Sequence, residues 1–246
     1  MNLLIDIGNT RIKWAIQSNQ DLVLTGALVH LNHPDLSTLL DQCWQALERP
    51  VNVLVSNVAG QHFQHIVAKW SMQTWGRAPE FVTVKSGDFK LMSKYSIQSL
   101  GIDRWMALLG LYGRFSLPAI VVDCGSAVTT DALNSTGMHT GGLIMPGLTM
   151  MKNALFKGTC VQPVSSGYAG HKIGVDTDGA IQSGTVNAIC GMIDRFVLLL
   201  EQQDCINPKI VLTGGDAQSI AEELGRPVTI EPDLVLLGLM RIANQV

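Results

Sequence analysis

The chain has 246 residues, 47% of them hydrophobic and only 15% charged. That apolar share excludes a disordered chain and is enough to fill one large domain or two small ones. Seventeen Lys and Arg against twenty Asp and Glu leave a net charge of -3, which gathers no phosphate backbone and sets nucleic acid aside as a main partner.

Leu3–Ile7 and Arg11–Ile16 read as the two strands of a hairpin turned by Gly8 and Asn9. Periodicity then predicts a helix over His33–Arg49, a strand at Val51–Ser56, a helix over Gln61–Trp75 and a short strand at Phe81–Val84. The polar stretch Ser86–Gly101 reads as a surface loop or lid. Trp105, Leu108, Leu109 and Tyr112 stand at helical spacing and predict a helix over Asp103–Phe115. Ile120–Asp123, Ala127–Leu133 and Gly142–Ile144 look like three successive strands.

The longest helix is expected over Asp178–Gln203, with Ile189, Ile193, Phe196, Val197 and Leu200 on its apolar face. Thr177 serves there as the expected N-cap, with Asp178 in the first turn favouring the positive end of the dipole. Gly184, Ala188 and Gly191 form a second face of small residues, suited to a close helix contact within the lobe or across a dimer.

An internal repeat organises these elements. Residues 3–16 read LLIDIGNTRIKWAI and residues 120–133 read IVVDCGSAVTTDAL. In both, three aliphatic residues lead into Asp, any residue, Gly and a small polar residue, with Asp6 and Asp123 in matching places. A second pair, Val51–Gly60 and Pro208–Ala217, follows in the same order, each a buried strand running into a small-residue turn and helix-like sequence. The expected fold is α/β, with two similar lobes at 1–117 and 118–246 facing each other across a cleft that a D-x-G turn enters from each side.

Five cysteines, Cys43, Cys124, Cys160, Cys190 and Cys205, are widely spaced with no C-x-x-C. They read as reduced thiols of a cytoplasmic protein. The opening MNLLIDIGNT has no basic region, unlike a signal peptide. The longest apolar runs, such as Phe196–Leu200, fall far short of the ~20 residues of a membrane span. The expectation is a soluble chain with no membrane partner.

The D-x-G turns are the first candidates for chemistry. Glycine lets a backbone approach a phosphate closely, and the N–H groups of such a turn form an anion nest. A neighbouring carboxylate can hold Mg²⁺ or its waters against phosphate oxygens. Asp6-Ile7-Gly8-Asn9-Thr10 and Asp123-Cys124-Gly125-Ser126-Ala127 both offer this, and Arg11 and Lys13 add cations to the first. A hairpin with an Asx turn is the competing reading for either one alone. No G-x-x-x-x-G-K-[ST], G-x-G-x-x-G or G-x-S-x-G occurs.

Gly101-Ile102-Asp103-Arg104 is the second candidate. Asp103 can accept a proton from an attacking hydroxyl, and the planar fork of Arg104 can hold a carboxylate or phosphate. The competing reading makes Asp103 a helix N-cap and puts Arg104 on the surface. The pairs His30/His33 and His62/His65 have no cluster of cysteines or carboxylates alongside, and read as solvated helix or loop positions.

Seven motifs in sequence give the chain its resemblance to a known family: D-x-G-N-T with R-x-K-W at Asp6–Trp14, Tyr95 ahead of G-x-D-R-W at Gly101–Trp105, D-x-G-S-A at Asp123–Ala127, G-G-x-I-x-P-G at Gly141–Gly147, D-T-x-x-A-I-Q-S-G at Asp176–Gly184, L-T-G-G-D-A at Leu212–Ala217 and P-D-L-V-L at Pro232–Leu236. The chain resembles the type III pantothenate kinases, whose members include proteins named Bvg accessory factor. That resemblance implies two duplicated ribonuclease H-like (actin/Hsp70/sugar kinase-like) lobes with a nucleotide cleft between them. It implies ATP-dependent phosphorylation of pantothenate to 4′-phosphopantothenate, the first step of coenzyme A biosynthesis.

Carried onto this sequence, the resemblance puts Asp6, Gly8, Asn9, Thr10 and Lys13 in a first phosphate loop and Ser126 in a second. It makes Asp103 the proton acceptor, and Tyr95, Gly101, Arg104 and Thr177 contacts of pantothenate. Asp123 would bind a monovalent cation, K⁺ or NH₄⁺, and Asp6 would reach Mg²⁺ through water. Family members are homodimers, which fits the small-residue face. Cys124 stands where the family usually has alanine, Ser126 where threonine is more common, and Asp176 where asparagine is often seen. A nucleotide-binding regulator of the same fold, or a kinase of another small metabolite, are the alternatives. Intact Asp6, Asp103, Asp123 and Thr177 speak against the first; the Tyr95 and Gly101–Arg104 pattern speaks against the second.

Overall fold

A computed structural model describes residues 1–31, 33, 35–85, 88–161, 173–203 and 206–245. The chain divides into two compact units, Met1–Arg114 with Asp233–Val246, and Phe115–Pro232.

In the first unit, β1 (Asn2–Ile7), β2 (Arg11–Ser18) and β3 (Asp21–Val29) form an antiparallel meander, and β4 (Asn52–Asn57) and β5 (Glu80–Phe81) run parallel to β1. The sheet order is β3-β2-β1-β4-β5. Alternation sends Leu3, Ile5, Ile7 and Ile12 to one face, where α1 (Leu36–Trp44) and α2 (Gln61–Trp75) cover them. Trp44, Trp70 and Trp75 interlock there edge to face, with centroids 5.7 Å and 4.7 Å apart along the series. The helix expected over His33–Arg49 is shorter at both ends. The Asp35 carboxylate caps it by accepting the Ser37 and Thr38 N–H groups.

The opposite face of this sheet carries Leu4, Asp6, Lys13 and Ser56 and is covered from a distant part of the chain. α7 (Leu234–Ala243) packs on β1, β2 and β4, and on α3 (Ile102–Leu111). Gly110 and Gly238 let these two helices touch backbone to backbone. A Cβ on Gly110 would run into the Leu234 carbonyl, and one on Gly238 into the Met106 carbonyl. Arg241 of α7 donates to the Leu109 carbonyl at 3.2 Å and to that of Tyr112, satisfying the C-terminal end of α3.

The C-terminal lobe expected at 118–246 is corrected in this respect: its last helix belongs to the first unit. The reason is the apolar face carrying Leu4 and Leu54: α3 packs on β4 there, and α7 completes the cover over β1, β2 and β4.

In the second unit, β6 (Ala119–Cys124), β7 (Ala127–Leu133) and β8 (His139–Pro146) form the meander, and β9 (Lys209–Thr213) and β10 (Val228–Ile230) lie parallel to β6. Read from β8, the order β8-β7-β6-β9-β10 is the order of the first sheet again. The duplication read from LLIDIGNT and IVVDCGSA is therefore a duplication of topology: β1 matches β6, and β4 matches β9.

Ile120, Val122 and Cys124 face α5 (Thr177–Glu201), whose Ile189, Ile193 and Phe196 complete the core with Ile220 of α6 (Ala217–Glu223). α4 (Leu148–Gly158) follows β8. By length and composition α5 could cross a membrane; its apolarity is accounted for by the face it buries in this core. The N-cap of α5 is Asp176, which accepts the Gly179 N–H at 2.7 Å, so Thr177 is the first helical residue and not the cap. The small-residue face is turned outward: Gly184, Ala188 and Gly191 are exposed, and a Cβ on either glycine would meet nothing within 4 Å among the described residues.

Candidate functional site

The first D-x-G turn joins β1 to β2. Asp6, next to last in β1, is paired in register with Lys13 on β2 and Ser56 on β4, so a carboxylate, an ammonium and a buried hydroxyl share one face. The Gly8 N–H donates to the Arg11 carbonyl at 3.0 Å and closes the turn. A Cβ on Gly8 would lie 3.3 Å from that same oxygen, so the tight closure is what calls for glycine. Asn9 is exposed at the tip, with Gly8 and Thr10 half-buried beside it.

The second turn joins β6 to β7 and has different neighbours. Asp123 is paired with Thr129 and Thr213, two hydroxyls in place of a lysine and a serine. Three motifs that lie far apart in sequence meet here. The Asp216 N–H donates to the Cys124 carbonyl at 3.0 Å and the Gly147 N–H to the Ser126 carbonyl at 2.9 Å. A side chain on Gly147 would run into the Gly125 carbonyl, and Gly214, at φ +91, would put a Cβ 2.5 Å from Asp123 Oδ1. Ser126 stays exposed at the tip of the turn.

Burial pushes the Cys124 thiol well above its ordinary value, and the Asp123 and Asp216 carboxylates push it the same way. It remains a neutral thiol and takes no nucleophilic part.

The third group sits at the start of α3. Gly101 is the N-cap and Asp103 lies in the first turn, where the helix dipole favours a carboxylate. Asp103 is thus not the N-cap that the simpler reading made it. Its Oδ1 accepts the Arg104 N–H at 2.8 Å, and a Cβ on Gly101 would come within 2.5 Å of that oxygen. Arg104 is only 6% exposed, contrary to a surface placement, and its guanidinium carbon stands 5.0 Å from the centre of the Tyr95 ring. Tyr95, Gly101, Asp103 and Arg104 are therefore held together by one helix start and the loop before it. Thr177 is exposed on the first turn of α5, in the second unit.

Sequence reasoning missed the bracing roles of Gly147, Gly214 and Asp216, although their glycine-rich motifs were the available signal. His30, expected to be solvated, is 4% exposed and touches the first turn. No group of three or more His, Cys, Asp or Glu side chains stands together among the described residues. A divalent ion here would be shared with phosphate oxygens of a nucleotide, the usual way Mg²⁺ is held. The carboxylates beside the turns, Asp6 at the first and Asp123 at the second, have the hard oxygen donors that such a role needs.

A family model described as type III pantothenate kinase matches residues 2–198. The chain belongs to this family. It is 34% identical to the type III pantothenate kinase of Nitrosococcus oceani over 99% of this chain and 94% of that one. To the enzyme of Nitrosomonas eutropha it is 36% identical, covering 98% and 94%. Type III pantothenate kinases are phosphotransferases that phosphorylate pantothenate for coenzyme A biosynthesis.

Among solved structures, a conserved Baf family protein of Campylobacter jejuni is 22% identical with a TM-score of 0.61, covering 99% of this chain and 98% of that one. The activator of the 2-hydroxyisocaproyl-CoA dehydratase from Clostridium difficile, solved with bound ADPNP, is 13% identical with a TM-score of 0.56, covering 99% and 94%. These likenesses establish the actin- and sugar-kinase-like fold of this pantothenate kinase.

Proposed function

We propose that this chain transfers the γ-phosphoryl group of ATP to the primary hydroxyl of pantothenate, using Asp103 as proton acceptor. The hydroxyl proton passes to the Asp103 carboxylate as the new O–P bond forms, and ADP leaves with the bridging oxygen. Phosphoryl transfer through a loose transition state asks for positioning and charge neutralisation more than covalent chemistry. The observation that carries the reading is the cluster at the start of α3, where a half-buried carboxylate stands beside a buried arginine stacked on Tyr95. Arg104 pairs with the pantothenate carboxylate through its planar fork, and Tyr95, Gly101 and Thr177 complete the acceptor contacts.

Gly8, Asn9, Thr10 and Lys13 bind ATP phosphates from the first turn, and Ser126 binds them from the second. Asp6 would hold Mg²⁺ through water, and the ion would supply charge neutralisation at the phosphate oxygens. Asp123, with a threonine opposite it on each neighbouring strand where Asp6 has a lysine and a serine, offers the oxygen donors that a K⁺ or NH₄⁺ ion takes. The enzyme works in the cytoplasm as a homodimer, and the exposed small-residue stripe of α5 supports that assembly by allowing close backbone approach.

The test is an ATP-consumption assay on the purified protein with pantothenate and K⁺, with sugars and acetate as control acceptors. Turnover with pantothenate alone is expected; none with pantothenate overturns the reading.

A further inference from the structure

The two duplicated units close their turns at matching positions. In the second unit β8 ends at Pro146, opposite Ala127, and the next residue, Gly147, donates its N–H to the Ser126 carbonyl at 2.9 Å. In the first unit β3 ends at Val29, opposite Arg11, and the next residue, His30, donates its N–H to the Thr10 carbonyl at 3.0 Å. His30 is thus the counterpart of Gly147, and Gly8 is the counterpart of Gly125.

What each does to the turn glycine differs. Gly147 lies directly against the Gly125 carbonyl, with no room for a side chain. The His30 ring instead extends to the equivalent carbonyl, with Nε2 2.7 Å from the Gly8 oxygen. A carbonyl only accepts, so Nε2 carries the proton and donates. The ring is held in place by Phe63 of α2, its centroid 4.5 Å away.

We infer that His30 is a positioning residue for the first phosphate loop, fixing the Gly8–Asn9 peptide so that the Asn9 N–H points at the ATP phosphates. In a planar trans peptide the C=O and the following N–H point in opposite directions. Tying the Gly8 carbonyl inward to His30 therefore turns the Asn9 N–H outward, at the exposed tip of the turn. A hydrogen bond to that carbonyl also polarises the peptide and strengthens the N–H as a donor. The inference rests on the proposed phosphate-binding role of Gly8–Thr10.

Two variants test it. His30→Phe keeps the ring packing and loses the donor; His30→Gln returns an amide N–H at a similar reach. ATP affinity is read by titration calorimetry, and KM by steady-state kinetics for each substrate. His30→Phe is expected to raise the ATP Kd and KM about tenfold, while pantothenate KM stays within about twofold. His30→Gln is expected to recover most of the loss. A purely structural brace would lower the melting temperature and kcat of both variants without this selective change.

If His30→Phe does not fold, His30→Asn, whose amide is too short, replaces it in the comparison with His30→Gln. ATP binding unaffected by loss of the donor, or a glutamine variant as impaired as the phenylalanine one, overturns the inference alone. Failure of the unsubstituted protein to bind ATP overturns the phosphate-loop reading and this inference with it.

Discussion

Gly214 lies against Asp123 so closely that a methyl group on the glycine would stand 2.5 Å from the carboxylate oxygen Oδ1. Its φ of +91 adds backbone strain for any other residue. Gly214→Ala should cost about 1–3 kcal/mol of stability and displace the proposed cation ligand. A thermal melt gives the first quantity. A K⁺ titration of activity gives the second, and an unchanged half-saturation would show that Gly214 has no bearing on the cation.

Asp103→Asn should retain ATP binding and lose about 10²–10⁴-fold in kcat, the range that general base catalysis contributes. Gly101→Ala pushes on the same carboxylate oxygen from 2.5 Å away and should lose less, in the same direction. Single-turnover kinetics beside nucleotide titration separates the two effects. Retained turnover in Asp103→Asn rules out this residue as the base.

Replacing K⁺ by Na⁺ at equal ionic strength should lower activity sharply. Na⁺ is smaller and more strongly hydrated, so the cation site proposed at Asp123 would take it less readily than K⁺. Equal rates in the two salts would count against a specific monovalent site.

Gly238→Ala forces a methyl group into the Met106 carbonyl where α7 crosses α3. Overpacking of this kind costs about 1–3 kcal/mol, and α3 carries Asp103 and Arg104, so kcat should fall along with the melting temperature. A variant with the parent melting temperature would mean that the helices part there without cost.

Burial raises the Cys190 thiol from 9.0 to about 11, and Cys124 moves in the same direction. A folded pKa above the unfolded one means that the native state holds the proton longer. The stability contribution is therefore complete below pH 9 and is lost as pH rises towards 11. Denaturation midpoints measured across that window should fall, and Cys190→Ala should fall less steeply than the parent. Identical slopes would remove this thiol from the alkaline transition.

Much of this arrangement was readable in advance where the residues themselves impose it. Aliphatic runs ending in D-x-G marked β1 and β6, and Gln61–Trp75 has the bounds that its periodicity gave. β3 escaped notice because an edge strand exposed along most of its length shows no buried alternation. α4 buries only Leu148 and so carries little apolar pattern. The apolar run of α7 was visible, but pattern alone does not say which sheet a helix covers. His30 was misjudged for a similar reason: its burial comes from Phe63 on another element. At the start of α3, the sequence shows a carboxylate next to an arginine, but the closeness of Gly101 to Asp103 is a fact of backbone geometry.

The placement of α7 has a consequence for how the protein is made. A ribosome delivers β1 long before α7, yet both belong to the same unit. Every segment of the other unit, Phe115–Pro232, has been synthesised before α7 appears. Domains fold as their sequence becomes available, so the half begun first is the half finished last. Until α7 arrives, the sheet face bearing Leu4 and Leu54 has only α3, packed on β4, to cover it, and it is there that a holding chaperone or a premature aggregate would take hold.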